Sequence, residues 1–143
     1  MDTVQKNIAA CIERLQHETN SDFAILGMID SSGRKLRWSS SVGRTSERTM
    51  LVEQKTTAGL SGKAIRSGRQ ATANTAMSEG ERFKLGEPIL LIEQLRIAVS
   101  VPIAISNRVG GVLLLGRRSD CSYHAFELEQ AAFAVKELAS LLE

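Results

Sequence analysis

The chain has little of what small enzymes and metal proteins depend on: two cysteines, two histidines, two prolines and one tryptophan in 143 residues. Cys11 and Cys121 lie far apart, and neither belongs to a cluster of several Cys and His of the kind that holds a metal. Buried thiols of an intracellular protein are the expected reading, and both are assigned structural roles. His17 and His124 each fall on an expected helix, where capping or surface exposure suits them better than catalysis. No nucleophile with a base in reach, no paired carboxylates and no metal constellation stands out, so neither an enzyme nor a bound cofactor or metal is expected. Nowhere do about 18 apolar residues run together, and polar residues of an amphipathic segment follow Met1 in place of an apolar leader. Cytoplasmic residence with no membrane partner is therefore expected. Lys and Arg are scattered and the net charge is only +2, which gives no basic stripe for nucleic acid.

What is present is ordinary for a folded domain: 43% hydrophobic and 24% charged residues, in a length that buries one full core. One domain over residues 1–143 is expected. Apolar residues at Val4, Ile8, Cys11, Ile12 and Leu15 give a first amphipathic helix over residues 2–18. The run at 23–30, the turn Ser31-Ser32-Gly33 and the looser alternation at 35–41 predict a hairpin. A polar loop over 39–49 then leads to a brief edge strand near Met50-Leu51-Val52. A short strand is expected at 70–74, and Pro88 in the first turn of a short helix makes residues 78–94 a candidate lid. Two apolar runs, 97–105 and 109–116, flank the turn at 106–108 and read as the central hairpin. A closing helix follows over 124–143, with Ser122 as its N-cap and Phe126, Ala131, Phe133, Ala134, Leu138, Leu141 and Leu142 on its apolar stripe. This order predicts an α+β fold with helices packed on an antiparallel sheet, the terminal helices side by side and available for a dimer or a partner.

The stretch Thr56-Thr57-Ala58-Gly59-Leu60-Ser61-Gly62-Lys63-Ala64-Ile65-Arg66-Ser67-Gly68-Arg69 carries the most specific pattern. Gly59 and Gly62 bracket a turn, Ser61 is placed to cap, and Leu60, Ala64 and Ile65 run to a C-cap at Gly68. Backbone N–H groups at such a helix start suit a small anion, and the same spacing also serves a capped helix that simply packs on a sheet. Trp38 has two readings of equal standing, a core residue or the wall of a ligand site. Arg44, Arg48, Arg66 and Arg69 are expected in solvent.

Taken together, the apolar run 23–30 after a helix, Gly59-Leu60-Ser61-Gly62 with Ser67-Gly68-Arg69, Val101-Pro102-Ile103 and Gly110-Gly111-Val112-Leu113-Leu114-Leu115 resemble the GAF domain, a small-molecule-sensing relative of the PAS fold. Leu36-Arg37-Trp38, Ser46-Glu47-Arg48, Gly86-Glu87-Pro88-Ile89-Leu90-Leu91 and Leu114-Leu115-Gly116-Arg117-Arg118 are similar to the single-domain nitrate receptors that work beside a cytoplasmic sensor histidine kinase and its response regulator. That resemblance implies a sheet with terminal helices on one face and lid helices over a pocket on the other. It implies nitrate in the pocket, with Leu60 and Ser61 supplying amides, Trp38 a wall, and Pro88 and Ile89 the lid side. A weakly hydrated planar monoanion suits a few oriented amides between apolar walls. Glu87 departs from the pattern, since it stands where those receptors commonly have an aromatic residue. It must face solvent if nitrate is the ligand. The alternatives within the fold are an interaction or dimerisation module with another ligand or none, and a free methionine-R-sulfoxide reductase. The reductase needs lid cysteines, and residues 70–100 contain none.

Overall fold

Alternation along the strands, interrupted by register shifts after Leu26 and Ile103, sends two apolar sets to opposite faces of one sheet, and the helices divide accordingly. A computed structural model describes residues 3–74 and 77–143; Asp2, the expected first residue of the N-terminal helix, lies outside them. The elements are α1 (Thr3–Glu18), β1 (Phe23–Ile29), β2 (Lys35–Val42), a 3-10 helix (Glu47–Leu51), β3 (Glu53–Lys55), α2 (Gly59–Ser67), β4 (Ala71–Ala73), α3 (Glu79–Leu85), α4 (Pro88–Ile92), β5 (Ile97–Ile105), β6 (Arg108–Arg117) and α5 (Ala125–Leu142). Among the described residues the sheet is antiparallel, in the order β3-β2-β1-β6-β5-β4.

Ala24, Leu26, Val99, Val101, Leu113 and Leu115 point to one face and bury Ile8, Cys11, Ile12 and Leu15 of α1 with Ala131, Val135 and Leu138 of α5. Phe23, Ile25, Leu36, Trp38, Ala98, Val112 and Leu114 point to the other, against Leu60 and Ala64 of α2 and Ile89 and Leu90 of α4. The period of two therefore places the terminal helices on one side and the short helices on the other, as expected for this α+β fold.

Four local expectations are corrected. The edge strand near Met50 is a 3-10 helix, capped by Ser46, whose Oγ accepts from the Arg48 amide; the edge strand follows it as β3. His124, not Ser122, caps α5, with the Glu127 carboxylate accepting the His124 amide at 2.8 Å in a capping box. Phe126 and Phe133 face solvent, 67% and 75% exposed, because the stripe that meets the sheet runs through Ala131, Val135 and Leu138. Cys11 is buried and Cys121 is exposed, so only the first has a packing role.

Arg117 at the end of β6 ties the α1–β1 connection to α5. Its guanidinium donates to the carbonyl oxygens of Thr19 (2.8 Å), Asn20 (3.1 Å), Cys121 (3.0 Å) and Ser122 (2.8 Å), and to Glu127 Oε2 at 2.7 Å. The Tyr123 ring packs on it, 4.0 Å from the guanidinium carbon. Burial pushes the Tyr123 hydroxyl up to about 12, and this hydroxyl shares a 2.7 Å hydrogen bond with Ser21 Oγ. Both Arg117 and Glu127 are buried, so removal of one leaves the other uncompensated. Arg117→Met is expected to destabilise the protein by about 3 kcal/mol in denaturant unfolding, and adding Glu127→Gln to cost much less than on its own. Additive losses would contradict the coupling.

Candidate functional site

The first turn of α2 exposes backbone donors on the sheet face opposite the terminal helices. Ala58 is the N-cap and makes no side-chain cap, so the expected capping role of Ser61 is corrected: Ser61 lies inside the first turn. At that position an amide has no intrahelical acceptor and must find one elsewhere. The next amide, Gly62, already bonds to Ala58 O at 2.9 Å. Gly62 itself is required for close approach, since a Cβ there would stand 2.5 Å from the carbonyl carbon of Thr57.

The acceptor for Ser61 is Glu87. Its Oε2 receives the Ser61 amide at 3.1 Å, and its Oε1 receives Ser61 Oγ at 3.3 Å. Gln54 Nε2 donates to both oxygens, at 3.2 and 3.4 Å. Gln54 Oε1 in turn accepts from Trp38 Nε1 at 3.3 Å, and Ser61 Oγ accepts from Ser100 Oγ at 3.2 Å. The chain Trp38–Gln54–Glu87–Ser61–Ser100 thus joins β2, β3, the start of α4, α2 and β5 under cover of the lid. Glu87 is 3% exposed, so of the two alternatives, a carboxylate in solvent or a ligand other than nitrate, the first does not hold. Gly59 makes room for it: φ is +73°, and a Cβ would fall 2.1 Å from Glu87 Oε2.

The residues singled out from the sequence do converge. Trp38, Leu60 and Ile89 are buried in one layer with Ser61 beside them, and Pro88, half-buried, occupies the first turn of α4. Trp38 belongs to the core, its ring lying where a Cβ on Gly27 would be 2.8 Å from Cζ3. The sequence reading missed Gln54, since a three-residue strand has no periodicity to show that its middle residue is buried. It also missed Ser100, Arg118 and Glu93. Glu93 closes the other end of α4, its Oε1 receiving the Thr45 amide (2.9 Å), Thr45 Oγ1 (2.8 Å) and Arg118 Nη2 (2.7 Å). Its Oε2 receives the Ser46 amide at 3.3 Å and a short bond from Thr49 Oγ1.

The two carboxyls respond to burial differently. Burial pushes Glu87 above the usual carboxylate range, and the hydrogen bonds from Ser61 and Gln54 only partly oppose it. Burial also pushes Glu93 up, but the bonds from Thr49, Thr45 and Ser46 outweigh it and leave the group lowered. Among the described residues, no group of three or more His, Cys, Asp or Glu is placed to hold a metal ion.

A family model for the GAF domain matches residues 2–143. The chain is a GAF domain. A mutated NreA protein from Staphylococcus aureus, described as mutated in its nitrate binding site, is 26% identical over 81% of this chain and 86% of its own, with a TM-score of 0.72. The hypothetical protein SA1058 from S. aureus is 28% identical over 80% of this chain and 95% of its own, with a TM-score of 0.70. The type II free methionine-R-sulfoxide reductase of Thermoplasma acidophilum shares the fold, with a TM-score of 0.76 over 97% of this GAF chain and 92% of its own at 13% identity. No curated protein matches the sequence significantly.

Because the folded state holds the Glu87 proton more tightly than the unfolded chain does, stability from this group is greatest below pH 4.5, the usual value, and falls as pH rises through the elevated one. Each unit of elevation corresponds to about 1.4 kcal/mol. Glu93 acts with the opposite sign, stabilising above its usual value and losing that contribution as pH falls. Glu87→Gln is expected to gain on the wild type as pH rises from 4.5 toward neutrality in denaturant unfolding. A difference that does not change with pH would contradict the assignment.

Proposed function

We propose that residues 1–143 act as a single regulatory GAF domain in the cytoplasm, a non-catalytic signalling module whose anion position is filled by its own Glu87 carboxylate. The observation that carries this reading is the 3.1 Å bond from the Ser61 amide to Glu87 Oε2. In the nitrate-receptor arrangement that amide, with Leu60 beside it, would meet the free ion; here the Glu87 carboxyl already holds it. Among the described residues no buried side-chain N or O lacks a hydrogen-bond partner, so the network around Glu87 is complete as it stands.

Output through protein contacts agrees with the far side of the molecule. Phe126 and Phe133 stand exposed on α5 beside a groove of about 790 Å³ between α1 and α5, lined also by Leu15, Ala134 and Lys136. An apolar patch rimmed by charge suits a protein partner. A sensor histidine kinase or a second copy of this chain is the partner class in this reading.

The second reading is a receptor for nitrate that regulates such a kinase. It is favoured by the 26% identity to the mutated NreA protein of S. aureus, and by the gathering of Trp38, Leu60, Ser61, Pro88 and Ile89 in one place. It requires Glu87 to leave the Ser61 amide. Calorimetric titration with nitrate, nitrite, chloride and sulfate separates the two. No saturable heat from any of them is expected with the wild type, and a saturable nitrate heat would put the receptor reading in first place.

A further inference from the structure

Helix α4 is held at each end by a carboxylate, and the two ends are built differently. Glu93 is bound by Arg118, whose Nε also donates to Glu93 O at 2.9 Å and whose Nη2 reaches Gly43 O at 3.1 Å. Glu87 meets the uncharged donors of Ser61 and Gln54. These donors belong to α2 and β3, and the glycine that leaves space for the carboxylate is Gly59 of α2. A carboxylate-shaped site is thus built by two elements and filled from a third.

Both oxygens of the guest are read. One takes the Ser61 amide and Gln54 Nε2, and the other takes Ser61 Oγ and Gln54 Nε2. Behind them stand Leu60, Ile89 and Trp38, all buried. Bidentate reading from neutral donors between apolar walls fits a planar monoanion with a short aliphatic tail; a dianion would lose more hydration than these donors return.

We propose that Glu87 is a tethered ligand, seated in a site whose chemistry selects a small aliphatic monocarboxylate of the size of acetate. This rests on the reading above that Glu87, and not an external anion, holds the Ser61 amide. Tethering gives Glu87 a high effective concentration at the site, so a free carboxylate at modest concentration does not displace it from the wild type. A ligand that does displace it frees the Pro88 end of α4, which carries the buried Ile89 and Leu90, while Glu93 keeps the other end in place.

Glu87→Ala deletes the CγH2–carboxylate unit, the same heavy atoms as acetate, and tests this directly. Thermal unfolding of Glu87→Ala, Glu87→Gln and wild type is followed with acetate, formate, nitrate, chloride or sulfate at equal ionic strength. Acetate is expected to raise the Tm of Glu87→Ala by about 4 °C at tenfold excess over its Kd, formate by less, and neither to move the wild type or Glu87→Gln. If Glu87→Ala is unfolded without ligand, refolding on acetate is read by circular dichroism, and failure to refold while Glu87→Gln stays folded overturns the inference. So does a missing acetate response in folded Glu87→Ala, or an equal response to chloride and sulfate. So does nitrate matching acetate on Glu87→Ala, because the apolar walls would then read no aliphatic tail. A saturable nitrate response in the wild type contradicts the functional reading instead, whatever acetate does to the variant.

Discussion

A helix whose first turn points into the protein leaves amides that need an acceptor, and in this GAF domain the acceptor for Ser61 is carried by a different segment of the same chain. The positive end of α2 and the Glu87 carboxyl meet in a buried layer under the lid, where the groups that donate to Glu87 from Ser61 and Gln54 are uncharged. Much of that side of the molecule follows from this pairing. Gly59 has to be a glycine for the carboxylate to fit, Gln54 has to turn inward from β3, and Trp38 has to hold Gln54 by its indole N–H. Pro88 directly after Glu87 fixes the backbone that delivers the group.

The two faces of the sheet solve the problem of buried charge in different ways. Behind α5, Glu127 is matched by the guanidinium of Arg117, which spends its other donors on four carbonyl oxygens and so leaves neither partner exposed to an apolar wall. Under the lid, Glu93 follows the same rule with Arg118, and Glu87 breaks it. The carboxyl without a cation is the one that burial pushes above the usual range, while Glu93 is left lowered, so the two ends of α4 respond to pH with opposite sign. This GAF domain therefore carries, on a single short helix, one carboxylate matched by a cation and one held by neutral donors.

How much of this the sequence disclosed depended on the length of each pattern. α1 has a repeat long enough to show its period, β5 and β6 stand out as two long apolar runs around a short turn, and Pro88 marks the start of α4. The 3-10 helix and β3 are too short for periodicity, so the sequence pattern puts the edge strand near Met50, where the 3-10 helix lies. Phe126 and Phe133 look like core residues on a helical wheel; only the register of α5 on the sheet shows that Ala131, Val135 and Leu138 hold that face. Trp38, Leu60, Ser61, Pro88 and Ile89 were recognisable as neighbours through the resemblance to a family. The direction of the Glu87 side chain was not, because it is set by a glycine and a glutamine distant in the chain, and a carboxylate at a loop position is ordinarily solvated.

The most direct measurement is the proton and nitrogen chemical shift of the Ser61 amide, followed during a nitrate titration and separately across pH. A bond to Glu87 predicts a shift that nitrate leaves unchanged and that moves as Glu87 takes up a proton, at a pH above the usual carboxylate range. A Ser61 amide that moves saturably with nitrate and shows no titration of its own would mean that an external ion, not Glu87, is what this site was made to hold.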